Sequence, residues 1–299
     1  MSCNRRLCAR LTRALLLCLL AAGTRQYALA QDKPYFVAYS HDLENQGDMD
    51  FETKATLGRP EEGNRFGALA TEIEYGVRSW WTAGFYLDGQ STLSDSALFT
   101  GYRLESRVRP LKHEYVINPV LYVEYADISG ADKNMLEVVG HDGEPNLSWP
   151  NSVSRLRHLH EGELKLILSS QIGTWNVSEN FISEKNMAHD PWEFGYALGI
   201  ARPLRSGVDR VCTFCPEKLI AGLEAYGGLG NTWALTLHNT AHYIAPTVGW
   251  DLPGHVRLNF SPAWGGTGSS VDHCFRIGFV RSFDGIGRVS PPTSRRPVR

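Results

Sequence analysis

The chain has 299 residues, with 30 Lys and Arg set against 32 Asp and Glu and a net charge of −2. That balance gives nucleic acid no electrostatic footprint to bind, and six cysteines in so long a chain are too few for a disulfide scaffold. The length suits one large β domain or two smaller ones.

Residues 1–30 read as a secretory signal peptide. Arg5, Arg6, Arg10 and Arg13 form a basic start, "LTRALLLCLLAAG" is the apolar core, and Ala28-Leu29-Ala30 offers a small-x-small cleavage site before Gln31. Its removal takes away those four arginines and Arg25 but no acid, which leaves residues 31–299 at −7. Cys3, Cys8 and Cys18 leave with it, so Cys212, Cys215 and Cys274 remain. No later stretch approaches the ~20 consecutive apolar residues of a membrane helix.

Beyond Gln31 the pattern changes from helical to alternating. A period of two places successive side chains on opposite faces, which is the signature of β-strands. Residues 31–47 form an N-terminal segment, in which "PYFVAYSHDL" (34–43) reads as an extra strand or as a segment outside the sheet. Twelve strands follow within residues 48–283. They are "MDFETKATLG" (49–58), "RFGALATEIEYGV" (65–77), "WWTAGFYLDG" (80–89), "LFTGYRLESRV" (98–108), "NPVLYVEYA" (118–126) and "EGELKLILSS" (161–170). After these come "TWNVSENFIS" (174–183), "WEFGYALGI" (192–200), "KLIAGLEAYGG" (218–228), "HYIAPTVGWDL" (242–252), "HVRLNFSPAW" (255–264) and "HCFRIGFVRSF" (273–283). Residues 284–299, "DGIGRVSPPTSRRPVR", form a Pro/Arg-rich tail of disordered composition.

The connections alternate as well. Arg78-Ser79, Ile172-Gly173 and Leu252-Pro253-Gly254 are minimal turns, whereas residues 127–159 and "GLGNTWALTLHN" are long or polar. An even number of strands of about ten residues, with short turns on one side and long loops on the other, is the rhythm of a bacterial outer-membrane barrel. The expected fold is therefore all-β, an antiparallel transmembrane β-barrel of about 12 strands, with the short turns in the periplasm.

The two faces agree with this. Trp80, Trp81, Trp175 and Trp250 fall beside short turns, and Trp192 and Trp264 at the opposite strand ends. Such an arrangement suits two aromatic girdles at the membrane–water interfaces. On the parity opposite the apolar stripe lie Glu72, Glu74, Arg103, Glu105, Arg107, Glu124, Glu163, Lys165, Glu193, Glu224, Arg257 and Arg276. In a barrel these face the lumen, where Arg103 and Arg107 have Glu72, Glu74 and Glu124 within reach on neighbouring strands. The same parity makes Phe85→Arg costly and Tyr86→Arg tolerable.

Motifs of chemistry are sparse. There is no G-x-S-x-G, H-E-x-x-H or P-loop, so no catalytic residues, no cofactor and no enzyme activity are assigned. His158 and His160 share one face of a strand end with Glu161 beside them. The pair suits a transition metal but also plain exposed polarity, and no metal is assigned to it. Cys212-Thr213-Phe214-Cys215 lacks a second C-x-x-C for zinc, and in an exported chain it is a disulfide candidate pinning its turn.

The closing strand "RIGFVRSF" (276–283) reads polar-x-Gly-aromatic, with Arg281 where an apolar residue is usual and Phe283 at its end. It resembles the strand that outer-membrane proteins present to the barrel-assembly machinery. "YSHDLEN", "GNRFGALATEIEYG", "WWTAGFYLDGQST", "INPVLYVEY", "LILSSQIGTWNVSENFISEKN", "PWEFGYALG" and "EAYGGLG" resemble a group of uncharacterised outer-membrane barrels. They are similar to channel-like outer-membrane proteins of meta-pathway phenol degradation. The resemblance spans residues 35–283 and implies a barrel in the outer membrane, with no catalytic motif to carry over. The reading is a porin-like small-solute channel of unnamed substrate. The alternatives are a closed structural or ligand-binding barrel and, third, an outer-membrane hydrolase. Its expected partners are outer-membrane lipid and the assembly machinery through the Phe283 strand, not nucleic acid; the oligomeric state is open.

Overall fold

A computed structural model describes residues 34–60, 63–134, 149–188, 190–204 and 219–286. The signal peptide, nearly all of the tail, Cys212, Cys215 and the middle of the 127–159 stretch lie outside these residues. The strands are β1 (Met49–Arg59), β2 (Phe66–Arg78), β3 (Trp81–Thr92), β4 (Ala97–Val108), β5 (Asn118–Ser129), β6 (His158–Ile172) and β7 (Trp175–Asn186). They continue with β8 (Glu193–Pro203), β9 (Leu219–Asn231), β10 (Ala234–Leu235), β11 (His242–Leu252), β12 (Val256–Gly265) and β13 (His273–Phe283). One helical turn, α1 (Asn151–Ser154), stands between β5 and β6.

Apart from the two-residue β10, which hairpins onto β9, the strands form a closed antiparallel barrel of twelve. Each pairs with its neighbours in sequence, β8 joins β9, and β1 closes on β13 from Met49↔Phe283 to Arg59↔His273. Closure leaves no barrel edge with unpaired N–H and C=O groups. The strands run a few residues longer than the alternation alone indicates: β6 begins at His158 and β5 reaches Ser129.

Alternation separates two surfaces. Leu69, Ile73, Phe85, Leu87, Leu104, Leu121, Val123, Leu164, Phe181, Leu198 and Ile244 are exposed on the outside. Tryptophans border this apolar wall. Trp80 and Trp81 stack at 6.3 Å beside the first short turn, and the Trp81 indole N–H donates to Ser106 at 2.9 Å. Arg202 covers Trp175 at the same end of the barrel, and Lys185 covers Trp192 at the other. Trp250 and Trp264 are also on the outward parity of their strands.

The interior is packed. The sequence left residues 34–43 either as a thirteenth strand or outside the sheet, and the structure gives the second. Residues 34–48 join no strand and run through the barrel interior, where Tyr35, Phe36, Val37 and Ala38 are buried among Ala197, Ala201, Ile220 and Tyr226. Two glycines make room. A Cβ on Gly199 would come within 2.8 Å of the Tyr35 ring, and one on Gly76 would strike the Asn45 carbonyl.

This packing changes one expectation. Phe85 faces outward, so Phe85→Arg places a guanidinium on the apolar wall at a cost of ~2–4 kcal/mol. Loss of heat-modifiable migration on a gel is the expected readout, with Phe85→Leu as the control. Tyr86→Arg, however, is not tolerable. Tyr86 is 1% exposed, its hydroxyl donates to Glu105 at 2.5 Å, and its ring lies under Arg103. A second guanidinium there would meet the first in a space already full.

Candidate functional site: the occupied lumen

The inward parity of β1–β6 builds one charged wall. Arg103 grips Asp88 with two nitrogens, at 2.8 and 3.2 Å, and reaches Glu124 at 3.5 Å. Arg107 bonds Glu74 and, at 2.7 Å, Glu105. Lys54 lies 2.9 Å from Glu52 and 3.7 Å from Glu72, and Lys165 lies 3.1 Å from Glu163. Tyr122 donates to Glu124 at 2.7 Å. These are interleaved opposite charges, with the Tyr86 and Tyr122 phenols donating to Glu105 and Glu124, as buried charge demands.

The second wall is formed by β9–β13. Arg257 bonds Asp251 at 2.6 Å, and the buried Arg276 lies over the Tyr226 ring at 5.0 Å. Glu224 accepts three backbone N–H groups of the interior segment, from Phe36 at 3.0 Å, Val37 at 2.9 Å and Ala38 at 2.8 Å. A carboxylate cradled by consecutive amides is a strong charge-assisted contact, and here it fixes the segment to the wall.

The rest of the segment crosses to the other wall. Tyr35 donates to Asn176 at 3.0 Å. Tyr39 and Asn180 exchange two bonds, with Tyr39 N–H donating at 2.6 Å and Asn180 Nδ2 donating back at 3.0 Å. The Tyr39 ring packs 5.3 Å from Tyr122 and carries both Lys165 and Arg107 on its π system. His41 bonds Ser169, and Glu44 N–H bonds Thr82. Near the short turns, Gly47 donates to Gly76, and Gly76 donates to Asp48. The segment thus bridges the two charged walls through hydrogen bonds and aromatic contacts.

Of the twelve lumen charges read from the sequence, nine are buried, while Glu74, Arg103 and Glu193 are half-buried. The pairing differs in detail: Arg107 takes Glu74 and Glu105, Arg103 takes Asp88 and Glu124, and Glu72 goes to Lys54. The sequence reading passed over Glu52, Lys54 and Asp88, and the polar residues that meet the segment. Asp88, Tyr86 and Tyr122 carry the inward parity, which was the available signal. Cys274 is a free thiol buried at the long-loop end of β13.

At the long-loop end, described residues of the β5–β6 connection bond β3 and the turn that follows it. Lys133, 1% exposed, donates to Thr92 at 2.7 Å. Asn151 of α1 accepts from Gln90 and takes its own N–H to Asp95, both at 2.7 Å. Asp132 accepts from Thr100 at 2.6 Å and from the Asn134 N–H at 3.1 Å. Burial, then the charge of Asp88, pushes the Asp132 carboxyl up to about 6 from 3.8. The folded loop therefore holds this proton more tightly than the unfolded chain. Its stabilising effect is complete below about pH 3.8 and is lost as pH rises through about 6. Asp132→Asn should remove that component, so wild type should melt at higher temperature at pH 4 than at pH 7, after subtraction of the variant's own pH profile.

A closed antiparallel barrel with an apolar exterior, a charged interior and a segment of its own chain in the lumen defines the class. No protein-family model matches the sequence, and no curated protein sequence matches it. Among solved structures, an outer-membrane channel from Pseudomonas putida F1 superposes with a TM-score of 0.51 at 11% identity, covering 80% of this chain and 97% of that one. The KdgM porin gives 0.47 at 7% identity, covering 79% and 99%. LpxR from Salmonella typhimurium gives 0.41 at 10% identity, covering 79% and 99%. The first similarity places this chain among folds used by outer-membrane barrels; at these identities it speaks for fold alone.

Proposed function

We propose that this chain is an outer-membrane channel for small solutes, gated by residues 34–48 in its lumen. The observation that carries the reading is the way the lumen is filled. The blocking segment is held by side chains such as Glu224, Asn180 and Thr82 and belongs to no strand of the barrel. Such a segment can leave without breaking the barrel. The apolar exterior with tryptophans at both ends supports insertion in a bilayer. The protein with TM-score 0.51 is itself described as an outer-membrane channel. On the β1–β6 wall acids outnumber bases, so the preferred solutes are small cations, as for acidic rings in other pores.

A second reading, a permanently closed barrel, draws on the ion pairs of the wall itself, which need no segment to be satisfied. Single-channel recording in a planar bilayer separates the two. Full-length protein should open rarely, and a chain lacking residues 34–47 should give ohmic steps with a cation-selective reversal potential. Silence of both proteins across many verified insertions would establish the closed barrel instead.

A further inference from the structure

We infer that the outer wall of the barrel carries a binding site for a divalent transition metal, formed by Asp127 of β5 with His158 and His160 of β6. It stands apart from the lumen and does not depend on the channel reading. The three residues occupy outward parity at the long-loop end of adjacent strands. The register Asp127↔His160 and Ser129↔His158 brings them together. One ligand atom from each lies within 4.8 Å of the others.

The spacing suits a metal. Asp127 Oδ1 is 3.3 Å from His158 Nδ1 and 3.9 Å from His160 Nδ1. Ligands bound at about 2.0–2.2 Å in tetrahedral geometry lie roughly 3.3–3.6 Å apart, so small side-chain rotations close the set. The two imidazoles are held nearly parallel, with ring centroids 5.7 Å apart. The supports expected around metal ligands are also in place. The Tyr102 hydroxyl donates to the second Asp127 oxygen at 3.3 Å. The Tyr125 ring stacks on the His160 imidazole and steadies it, and its hydroxyl, 3.1 Å from His160 Nδ1, must turn away from that nitrogen when a metal binds there.

Ligand chemistry narrows the ion. Two imidazole nitrogens and one carboxylate suit Zn²⁺, Ni²⁺ or Cu²⁺, whereas Ca²⁺ asks for about six to eight oxygens. The remaining coordination positions face solvent: His158 is 67% and His160 50% exposed at the side chain. They open toward a groove bounded by Phe99, Tyr102 and Arg155. Among the described residues the second cluster of potential ligands, Glu72, Glu74 and Glu105, is already paired with Lys54 and Arg107. Glu161, which the sequence places beside the histidines, points inward; the third ligand comes from across the sheet.

The test uses untagged protein without residues 1–30, folded in detergent, with Cys212→Ser, Cys215→Ser and Cys274→Ser so that thiols cannot take the ion. Calorimetric titration with ZnCl₂ should show one equivalent bound. His158→Ala and His160→Ala should each weaken binding at least tenfold, Asp127→Asn should weaken it less, and CaCl₂ should give no heat of binding. Cu²⁺-loaded wild type supplies a readout that needs no variant: its electron paramagnetic resonance spectrum should show coupling to two imidazole nitrogens. Absence of Zn²⁺ binding at micromolar protein, equal binding by a folded His158→Ala/His160→Ala double variant, or a Cu²⁺ spectrum without nitrogen coupling would each overturn the site.

Discussion

In a Glu224→Ala variant the interior segment should leave the barrel, and the open probability in a planar bilayer should rise at least tenfold. Glu224 is fully buried and accepts the N–H groups of Phe36, Val37 and Ala38. Without it three donors are stranded in the lumen, each costing about 1–3 kcal/mol if left there. In water they cost nothing, so the balance tips toward release. The rest of the anchorage then resists with a few neutral hydrogen bonds, each worth about 0.5–1.5 kcal/mol, and the burial of Tyr35 and Tyr39. Glu224→Gln should be intermediate. Its side-chain oxygen can still accept from Val37 and Ala38, but its NH₂ would face the Phe36 donor. Conductance should rank alanine over glutamine over wild type. A cysteine at Ser40 should become reactive to a membrane-impermeant thiol reagent in the same order. Unchanged conductance together with unchanged Ser40→Cys labelling in Glu224→Ala would mean that this carboxylate does not hold the segment.

Why the segment itself was not legible follows from its chemistry. "PYFVAYSHDL" alternates well enough for a strand, and periodicity reports which side chains share a face, not what satisfies the backbone. Its partners lie 141 residues away at Asn180 and 186–188 away at Glu224. Only the closed barrel brings them near. The wall was legible because lipid and lumen impose opposite polarity on alternate residues, so Leu69, Ile73 and Phe85 separate cleanly from Glu72, Glu74 and Tyr86. β1 shows the limit. Its outward set, Phe51, Thr53, Ala55 and Leu57, is weakly apolar, and the inward Glu52 and Lys54 therefore passed unnoticed although they share a parity. The metal cluster shows another limit. His158 and His160 are visible as a pair, but Asp127 joins them only through the β5–β6 register, which no local pattern reveals.

The filled lumen also changes what the charged wall must do. In a wide aqueous pore, inward charges are solvated and can stand alone. Here Arg107, Glu105 and Glu72 are buried, and each must be matched as in a protein core. Under the proposed gating the wall would serve two states: with the segment in place an ion-pair lattice around Tyr39, and with the segment out the lining that meets ions.

Replacing Arg103 and Arg107 together with glutamine should lower stability strongly and, in the conducting form, shift selectivity further toward cations. Arg103 neutralises Asp88 and Glu124, and Arg107 neutralises Glu74 and Glu105. Removing one partner of a buried pair costs about 3–5 kcal/mol. The two arginines lie four residues apart on β4 and face the same Tyr39–Tyr86 cluster, where the two hydroxyls are 3.3 Å apart. Their effects should therefore fall short of additivity. Arg107→Lys keeps the charge but gives up the fork that bonds two carboxylates, so it should cost less than Arg107→Gln. Loss of Arg107 also removes a cation from the Tyr39 ring, which loosens the segment, so selectivity is best read in a chain lacking residues 34–47. There the four carboxylates line the path with fewer opposing charges, and the reversal potential under a salt gradient should move toward the cation limit. A double variant with both the melting temperature and the reversal potential of its parent would place these arginines outside the conducting path and outside the stabilising lattice, contrary to the geometry of β4.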